Sequence, residues 1–227
     1  MEQDSIKKLK RMMLLLYPLT FVILAGILML TAGTLNYWPG WIFCALVIIP
    51  ALFISLYFIK RSPEFLERRM KFKEKEIKQK TIIKFSSIFF IIGFIMPGLD
   101  YRFGWSMMPV WLIITAEVII LACYYLIFLA FKENAYAGRT VEIFTGQKVI
   151  DTGPYAIVRH PMYSGIIPMF LFLPLALGSF WAIIPFIPVA GIIIVRILNE
   201  EAVLKQGLPG YQAYCEKVRY RLVPYIW

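Results

Sequence analysis

Long apolar stretches divide this chain and limit what it can fold into. Four of them, each of 18 to 25 residues, run near Met12–Gly33, Trp41–Ile59, Ile82–Leu99 and Met107–Phe131. About 20 apolar residues are enough for a helix to cross roughly 30 Å of hydrocarbon. A fifth stretch, Met162–Val195, has 34 residues without a charge and is too long for one crossing. We expect it to form two short helices that turn at Gly178-Ser179.

The composition agrees with this pattern. Hydrophobic residues make up 60% of the chain and charged residues 17%, whereas a soluble domain is nearer half apolar and a quarter charged. The sequence therefore predicts an all-α, polytopic membrane protein with about six transmembrane helices. The last two form a short C-terminal hairpin, and cytosolic helices follow. We assign four spans and a basic cytosolic loop (60–84) to residues 1–135, and most of the polar chemistry to residues 136–227.

The basic residues predict the orientation in the membrane. Lys and Arg concentrate on the cytoplasmic side of membrane proteins. In a six-span arrangement with both termini cytoplasmic, every basic residue except Arg102 falls on that side. This placement, together with attraction to anionic lipid headgroups, accounts for the net charge of +10 without any nucleic acid partner. The prediction is an integral, multi-pass membrane protein.

The metal-binding residue types are too few and too scattered for a metal centre. The chain has one histidine, His160, and three cysteines, Cys44, Cys123 and Cys215. Dispersed cysteines without a close pair predict neither a disulfide framework nor a zinc site. We therefore expect no metal.

Two polar clusters flank the long apolar stretch. The first runs from Gly153 to Gly165 and contains His160; the second comprises Arg196, Glu200 and Glu201. A helical hairpin returns the chain to the membrane face from which it started. We therefore expect the two clusters to meet at one face and form a single pocket.

Each cluster also has a simpler interpretation. Arg196 and Glu200 stand four residues apart on one helix face, as an interfacial ion pair would. Glu201 lies beside them, however, and one arginine cannot neutralise two carboxylates, which would suit a cation or ribose hydroxyls. His160 could be an interfacial histidine bonded to backbone. Glu117, in the middle of the fourth span, is a functional candidate because carboxylates within membranes are costly.

The aromatic residues of the first cluster are open to two interpretations as well. Tyr155 and Tyr163 could belong to the aromatic belt at the membrane interface. They could equally offer ring faces to an adenine or to a sulfonium cation. Arg159, between them, has a planar guanidinium that can donate paired hydrogen bonds to a carboxylate or a phosphate.

A series of short motifs covers roughly residues 140–227. In order, they are Gly153-Pro154-Tyr155, Arg159-His160-Pro161-x-Tyr163-x-Gly165, Arg196, Glu200-Glu201-x-x-Leu204, Tyr211-x-x-Tyr214 and Arg221-Leu222-Val223-Pro224. This series resembles the signature of the isoprenylcysteine carboxyl methyltransferase family, which belongs with the phospholipid N-methyltransferases in a wider group of membrane methyltransferases. Upstream, the segment from Ser62 to Arg69 also resembles one common in these proteins.

The resemblance implies that S-adenosylmethionine binds between the hairpin and the C-terminal helices and is reached from the cytosol. A lipidic acceptor would enter from the bilayer. It also implies the site residues. Those expected to bind the cofactor are Tyr155, Arg159, His160, Pro161, Tyr163, Gly165, Glu201, Tyr211 and Tyr214, and those expected to be catalytic are Arg196 and Glu200. Residues 136–227 would then be the methyltransferase region.

Methyl transfer needs no metal, because the cofactor supplies a carbon already activated by its sulfonium and the protein supplies orientation. The expected reaction is O-methylation of an isoprenylcysteine-type carboxylate, which is ionised at neutral pH and needs no base. Phospholipid N-methylation is the alternative. An amine acceptor must lose a proton, and the glutamates are the nearby bases.

Two other functions compete with methyl transfer. Membrane sterol reductases, which use a nicotinamide cofactor, end with a tail similar to Tyr220–Pro224. The Glu200-Glu201 pair and the short chain favour the methyltransferases instead. A small transporter would place polar groups at mid-bilayer on several helices, and Glu117 is the one such group in the sequence. The acceptor and the oligomeric state stay open.

Overall fold

The computed structural model describes residues 2–69, 77–138 and 142–227. Every regular element in these ranges is helical. They are α1 (Glu2–Ala32), α2 (Trp38–Arg61), α3 (Pro63–Arg69), α4 (Ile77–Phe103), α5 (Val110–Glu133), a single 3-10 turn (Gly153–Ala156), α6 (Pro161–Ala176), α7 (Ile183–Gly207) and α8 (Tyr211–Lys217). The prediction of an all-α protein is confirmed. Part of the predicted basic loop, residues 70–76, and Arg139 lie outside the described residues.

Four helices in these ranges are long and apolar enough to cross a membrane. They are Ile6–Ala32, Trp38–Arg61, Val110–Glu133 and Ile183–Gly207. The other two predicted crossings fall on α4, which has 27 residues, and on α6, a shorter apolar helix of 16 residues. Large apolar side chains on the outer surface are exposed, among them Leu14, Ile49 and Trp111. Such a surface fits lipid and supports an integral membrane protein.

The six long helices pack into a closed ring. In contact order it runs α1, α2, α5, α6, α7 and α4, and α4 returns to α1. The shared core contains Leu28, Phe43, Ile120, Phe186 and Ile197, all nearly inaccessible to solvent. The close contact between α5 and α6 depends on Gly165, because a Cβ at this position would lie 2.8 Å from Ile127. Small residues at membrane helix interfaces permit such approaches.

The hairpin turns where the sequence predicted. Helix α6 ends at Ala176, and Gly178 follows with a φ of +75°, a conformation that glycine adopts without strain. The second helix, α7, continues past the apolar segment, through Arg196 and Glu201 to Gly207, where the Gly207-Leu208-Pro209-Gly210 sequence ends it. Leucine, glutamate, lysine and glutamine favour helix in this extension, so the change from apolar to polar sequence does not end it.

A buried carboxylate fixes the turn of the hairpin. Asp100, near the end of α4, is 1% exposed and accepts hydrogen bonds from the Ser106 backbone N–H at 2.6 Å and from the Ser106 hydroxyl at 2.7 Å. The Ser179 hydroxyl also donates to Asp100. The Phe180 N–H in turn donates to Ser106 Oγ at 3.1 Å. The turn is therefore tied to the end of α4.

Candidate functional site

The two polar clusters meet at the end of the hairpin opposite its turn. His160 directly precedes α6, and Pro161 is the first residue of that helix, a position proline favours because its φ already suits a helix. Across from them on α7, Glu200 accepts a hydrogen bond from Tyr163 Oη at 2.9 Å. His160 Nε2 lies 3.2 Å from Glu201 Oε1. The prediction that both clusters form one site is confirmed.

Glu201 is the centre of a buried ionic network, which we call the closed network, formed with Arg159, His160 and Arg221. Arg159 Nε donates to Glu201 Oε1 at 2.7 Å, and Arg221 Nε donates to Glu201 Oε2 at 3.0 Å. Glu201 is 3% exposed and Arg159 is 7% exposed. Both carboxylate oxygens are thus engaged by guanidinium groups, which compensates the cost of burying the charges.

The C-terminal segment completes the closed network. Arg159 Nη1 donates to the carbonyls of Val218 and Arg219 at 2.8 and 2.9 Å. The backbone N–H groups of Arg159 and His160 donate to the carbonyls of Tyr220 and Arg221, both at 2.9 Å. The segment after α8 is therefore paired directly with the residues that lead into α6.

A second set of contacts, which we call the cavity-facing triad, joins Arg196, Tyr163 and Glu200. Arg196 Nε donates to Tyr163 Oη at 2.9 Å, and the same hydroxyl donates to Glu200 Oε2 at 2.9 Å. The tyrosine hydroxyl thus lies between a cation and an anion. All three residues line one cavity.

This cavity lies between α6, α7, α8 and the segment that follows α5. Its volume is about 870 Å³ with its open mouth included. Eight of the predicted site residues line it: Tyr155, Arg159, His160, Tyr163, Arg196, Glu200, Tyr211 and Tyr214. Concave sites with a few convergent polar groups are typical of small-molecule binding.

Three predicted site residues, Pro161, Gly165 and Glu201, are outside the cavity lining among the described residues. Pro161 is buried at the start of α6. Gly165 faces α5, where a Cβ would lie 3.0 Å from the carbonyl oxygen of Cys123 as well as close to Ile127. Glu201 is enclosed in the closed network. The geometry gives these three residues packing and positioning contacts.

One wall of the cavity was missed by sequence reasoning. It is the irregular segment that follows α5, described at residues 134–138 and 142–150, which we call the linker. Its lining residues are Asn134, Tyr136, Ala137, Gly138, Glu142, Gln147, Lys148, Val149 and Ile150. An irregular segment has no periodicity that would indicate which side chains face a ligand.

The tyrosines of the cavity differ in their hydrogen bonding. Tyr214 Oη donates to the Tyr155 carbonyl at 2.8 Å. Tyr211 is 5% exposed, and its hydroxyl has no hydrogen-bond partner among the described residues. Burial raises the pKa of Tyr155, Tyr211 and Tyr214, so their hydroxyls stay protonated at neutral pH. An unsatisfied buried hydroxyl in a cavity wall is a donor available to a ligand.

The remaining sequence candidates lie apart from the cavity. Glu117 is 8% exposed within α5, and its Oε1 has no hydrogen-bond partner in the described parts of the chain. Among the described residues, no group of three His, Cys, Asp or Glu side chains could hold a metal ion. Asp151, which precedes the 3-10 turn, forms an exposed ion pair with Lys217 of α8 at 2.7 Å.

Comparison with known proteins identifies the type of fold. Residues 111–209 match the model of a family described as phospholipid methyltransferase. A solved structure of the eukaryotic intramembrane Ras methyltransferase, isoprenylcysteine carboxyl methyltransferase, superposes with a TM-score of 0.55 at 17% identity, covering 91% of this chain and 74% of that chain. The chain has the fold of an intramembrane methyltransferase. The matched segment contains α5, the linker, α6 and α7, so it includes three of the cavity walls.

The predicted resemblance to this group of membrane methyltransferases is therefore confirmed. The family model matches the segment that forms most of the cavity, and the solved structure agrees with the all-helical, polytopic fold. The cavity-facing triad, the closed network and the linker together enclose this cavity.

Proposed function

We propose that this protein transfers a methyl group from S-adenosylmethionine to the carboxylate of a lipidic, isoprenylcysteine-type acceptor. One observation carries the proposal. The two ends of the hairpin place Arg196 and Glu200 in a cavity together with six further residues that the sequence motifs had singled out. Helices α6 and α7 expose apolar side chains such as Leu171 and Ile194 on their outer surfaces, along which a lipidic acceptor would approach.

The lining of the cavity fits S-adenosylmethionine in chemistry. The buried hydroxyl of Tyr211 lacks a partner among the described residues and would donate to an acceptor atom of the cofactor. The rings of Tyr155 and Tyr163 line the same cavity and would offer their faces to adenine or to the sulfonium.

The roles of the charged residues follow from their partners. Arg159 is engaged by Glu201 and two carbonyls, so Arg196 is the better anchor for the acceptor carboxylate. Glu200 faces the cavity and would hold the ribose hydroxyls or the ammonium group of the cofactor. The closed network positions His160 at the cavity wall.

The cofactor supplies an activated methyl group, so the protein has to align the two reactants and keep water out. Arg196 would orient one carboxylate oxygen of the acceptor. A carboxylate needs no general base, because the oxygen gains the methyl group while the sulfonium loses its charge. Tyr163 holds Arg196 and Glu200 in a fixed relation through its hydroxyl.

Phospholipid N-methylation is a second candidate, favoured by the family model that matches residues 111–209. An amine acceptor must lose a proton during the reaction. Glu200 lies in the cavity and accepts a single described side-chain hydrogen bond, from Tyr163, so one of its oxygens could take that proton.

We place the cavity at the cytosolic face, with both termini on that side. The N-terminal residues Lys7, Lys8, Lys10 and Arg11 and the C-terminal Lys217, Arg219 and Arg221 would then lie near anionic headgroups. S-adenosylmethionine is a cytosolic metabolite, so a cavity open to this side would have access to it.

The first test is binding of S-adenosylmethionine to the detergent-purified protein by calorimetry, with NADPH as the comparator. We expect saturable binding of S-adenosylmethionine, weakened in Glu200→Gln. Glu216→Gln provides the matched control, because Glu216 is exposed on α8 and outside the cavity lining. Binding of NADPH in place of S-adenosylmethionine would support a reductase and overturn the proposal.

The acceptor is tested by methyl transfer in vesicles. Radiolabelled cofactor is supplied with N-acetyl-S-farnesylcysteine or with phosphatidylethanolamine. We expect a base-labile methyl ester on the first acceptor, with transfer reduced in Arg196→Ala. Label that appears only on the amine would replace the carboxylate proposal by the second candidate.

A further inference from the structure

Helix α3 lies next to the cavity although it belongs to the N-terminal half of the chain. It is anchored by Phe65, which is 1% exposed and contacts Phe58 of α2 and Phe131 of α5, with ring centroids 4.4 and 5.3 Å apart. This packing fixes the helix against two membrane helices. Its last two residues, Arg68 and Arg69, extend from it towards the linker.

Both arginines bind the backbone of the linker. Arg68 Nη2 donates to the Ala135 carbonyl at 2.9 Å, and Arg69 Nη1 donates to the Gly138 carbonyl at 3.0 Å. These carbonyls bracket Tyr136 and Ala137, which line the cavity. The described backbone hydrogen bonds of this part are local turn contacts, such as Ala137 N–H to the Asn134 carbonyl at 3.2 Å, so the two arginines supply contacts that connect it to α3.

Arg69 also touches the opposite wall. Its Nη1 lies 3.8 Å from the Met162 sulfur, and Met162 lines the cavity in the first turn of α6. Its guanidinium stacks over Phe131 of α5, with Cζ 4.5 Å from the ring centroid. One side chain therefore contacts the end of α5, the linker and the start of α6.

We infer that Arg69 is a positioning residue that holds the linker as the wall of the cofactor cavity. The inference rests on the proposed function for the identity of the ligand. It does not require the arginine to touch that ligand. A guanidinium is suited to this task because it donates in its plane while its face stacks on an aromatic ring. Lysine has a compact charge without a planar face, so it can donate to the carbonyl but cannot stack on the ring as a guanidinium does.

The test compares Arg69→Ala and Arg69→Lys with Arg61→Ala. Arg61 is the matched control, because its guanidinium stacks on Tyr57 of α2, 5.4 Å from the ring centroid, and lies on the exposed end of that helix. The first readout is amide hydrogen exchange of the ligand-free, full-length protein in detergent.

We expect Arg69→Ala to accelerate exchange in peptides from the linker and to leave peptides from α1 and α2 unchanged. Arg69→Lys should give a smaller acceleration, and Arg61→Ala none. Equal acceleration throughout the chain would make Arg69 a residue of general stability and overturn the inference. So would unchanged exchange in the linker.

The second readout is S-adenosylmethionine affinity and turnover. Arg69→Ala should weaken binding about tenfold, the size of effect expected for losing one charge-assisted hydrogen bond. It should raise KM for the cofactor and leave kcat within about twofold of the wild type, because bound cofactor restores the wall. A fall in kcat at unchanged KM would contradict a positioning role.

The two proposals fail separately. If the wild-type protein does not bind S-adenosylmethionine, the proposed function is wrong, and the exchange measurement still tests whether Arg69 holds the linker. If the wild type binds and Arg69→Ala binds equally well with an unchanged linker, the inference about Arg69 is wrong and the proposed function stands.

Discussion

Two adjacent glutamates on α7 have opposite environments. Glu201 is enclosed by Arg159, His160 and Arg221, whereas Glu200 faces the cavity and is bonded to Tyr163. Consecutive residues on a helix point about 100° apart, so one turn of α7 can serve two surfaces. The comparison indicates that the closed network holds the site together and that the cavity-facing triad is available to a substrate.

The largest expected effect comes from opening the closed network. Glu201→Gln removes the charge that neutralises two guanidinium groups, one of them nearly fully buried. Breaking a buried ion pair from one side costs about 3–5 kcal/mol. We expect a large fall in the thermal unfolding temperature in detergent. Unfolding at the wild-type temperature would contradict the structural role of this carboxylate.

The neighbouring substitution Glu200→Gln should leave stability almost unchanged, because an amide oxygen can still accept from Tyr163. The effect should appear in function instead. Loss of a charged hydrogen-bond partner of the ligand should reduce S-adenosylmethionine affinity or turnover by roughly 10- to 100-fold. A destabilised protein with full activity would reverse the assignment of the two glutamates.

Two tyrosines of α8, Tyr214 and Tyr211, show the same contrast between a structural and a cavity-facing role, with smaller expected effects. Tyr214→Phe removes the hydrogen bond to the Tyr155 carbonyl and should lower the free energy of unfolding by about 1 kcal/mol. Tyr211→Phe removes a hydroxyl without a partner among the described residues, so stability should stay the same or rise. Its cost should be about a fivefold loss in cofactor affinity, the usual size of effect for one hydrogen bond. Calorimetry and thermal unfolding of both variants give the comparison.

The smallest effect is expected at the exposed ion pair between Asp151 and Lys217, which lies outside the closed network and the cavity-facing triad. The hydrogen bond from Lys217 lowers the pKa of Asp151 below its ordinary value of 3.8. A lowered folded-state pKa stabilises the protein above the unfolded value, and this contribution is lost as the pH falls through the folded-state value. Asp151→Asn should therefore unfold at a slightly lower temperature than the wild type at neutral pH. In strong acid the two unfolding temperatures should be the same. An equal difference at both pH values would exclude the ion pair as its cause.

The meeting of the two polar clusters could be predicted from the sequence, because a helical hairpin returns the chain to the face from which it started. Thirty-five uncharged residues between His160 and Arg196 are consistent with two passes through hydrocarbon, and two passes bring the flanking residues to one face. The spacing does not show which member of the Glu200-Glu201 pair faces inward, because that depends on the rotation of α7 in the helix ring.

The linker and the roles of Arg69 and Arg221 could not be predicted in the same way. Their contacts join segments 20 to 93 residues apart in the chain, and irregular backbone gives no period to extrapolate. Gly165 shows the converse problem. It was assigned to the cofactor by motif, yet the structure places it against α5, where absence of a side chain permits the helices to approach.

The hydrogen bonds between Asp100, Ser106 and Ser179 fix the turn of the hairpin, so any tilt of the hairpin would turn about that end. Helix α6 is about 24 Å long at 1.5 Å per residue, and its far end is held at the turn. A tilt of about 5° around that point would move the His160 end by about 2 Å over such a length. A tilt of this kind would turn about the far end of the hairpin, where Ser179→Ala would remove a hydrogen bond to Asp100 without touching any residue of the cavity.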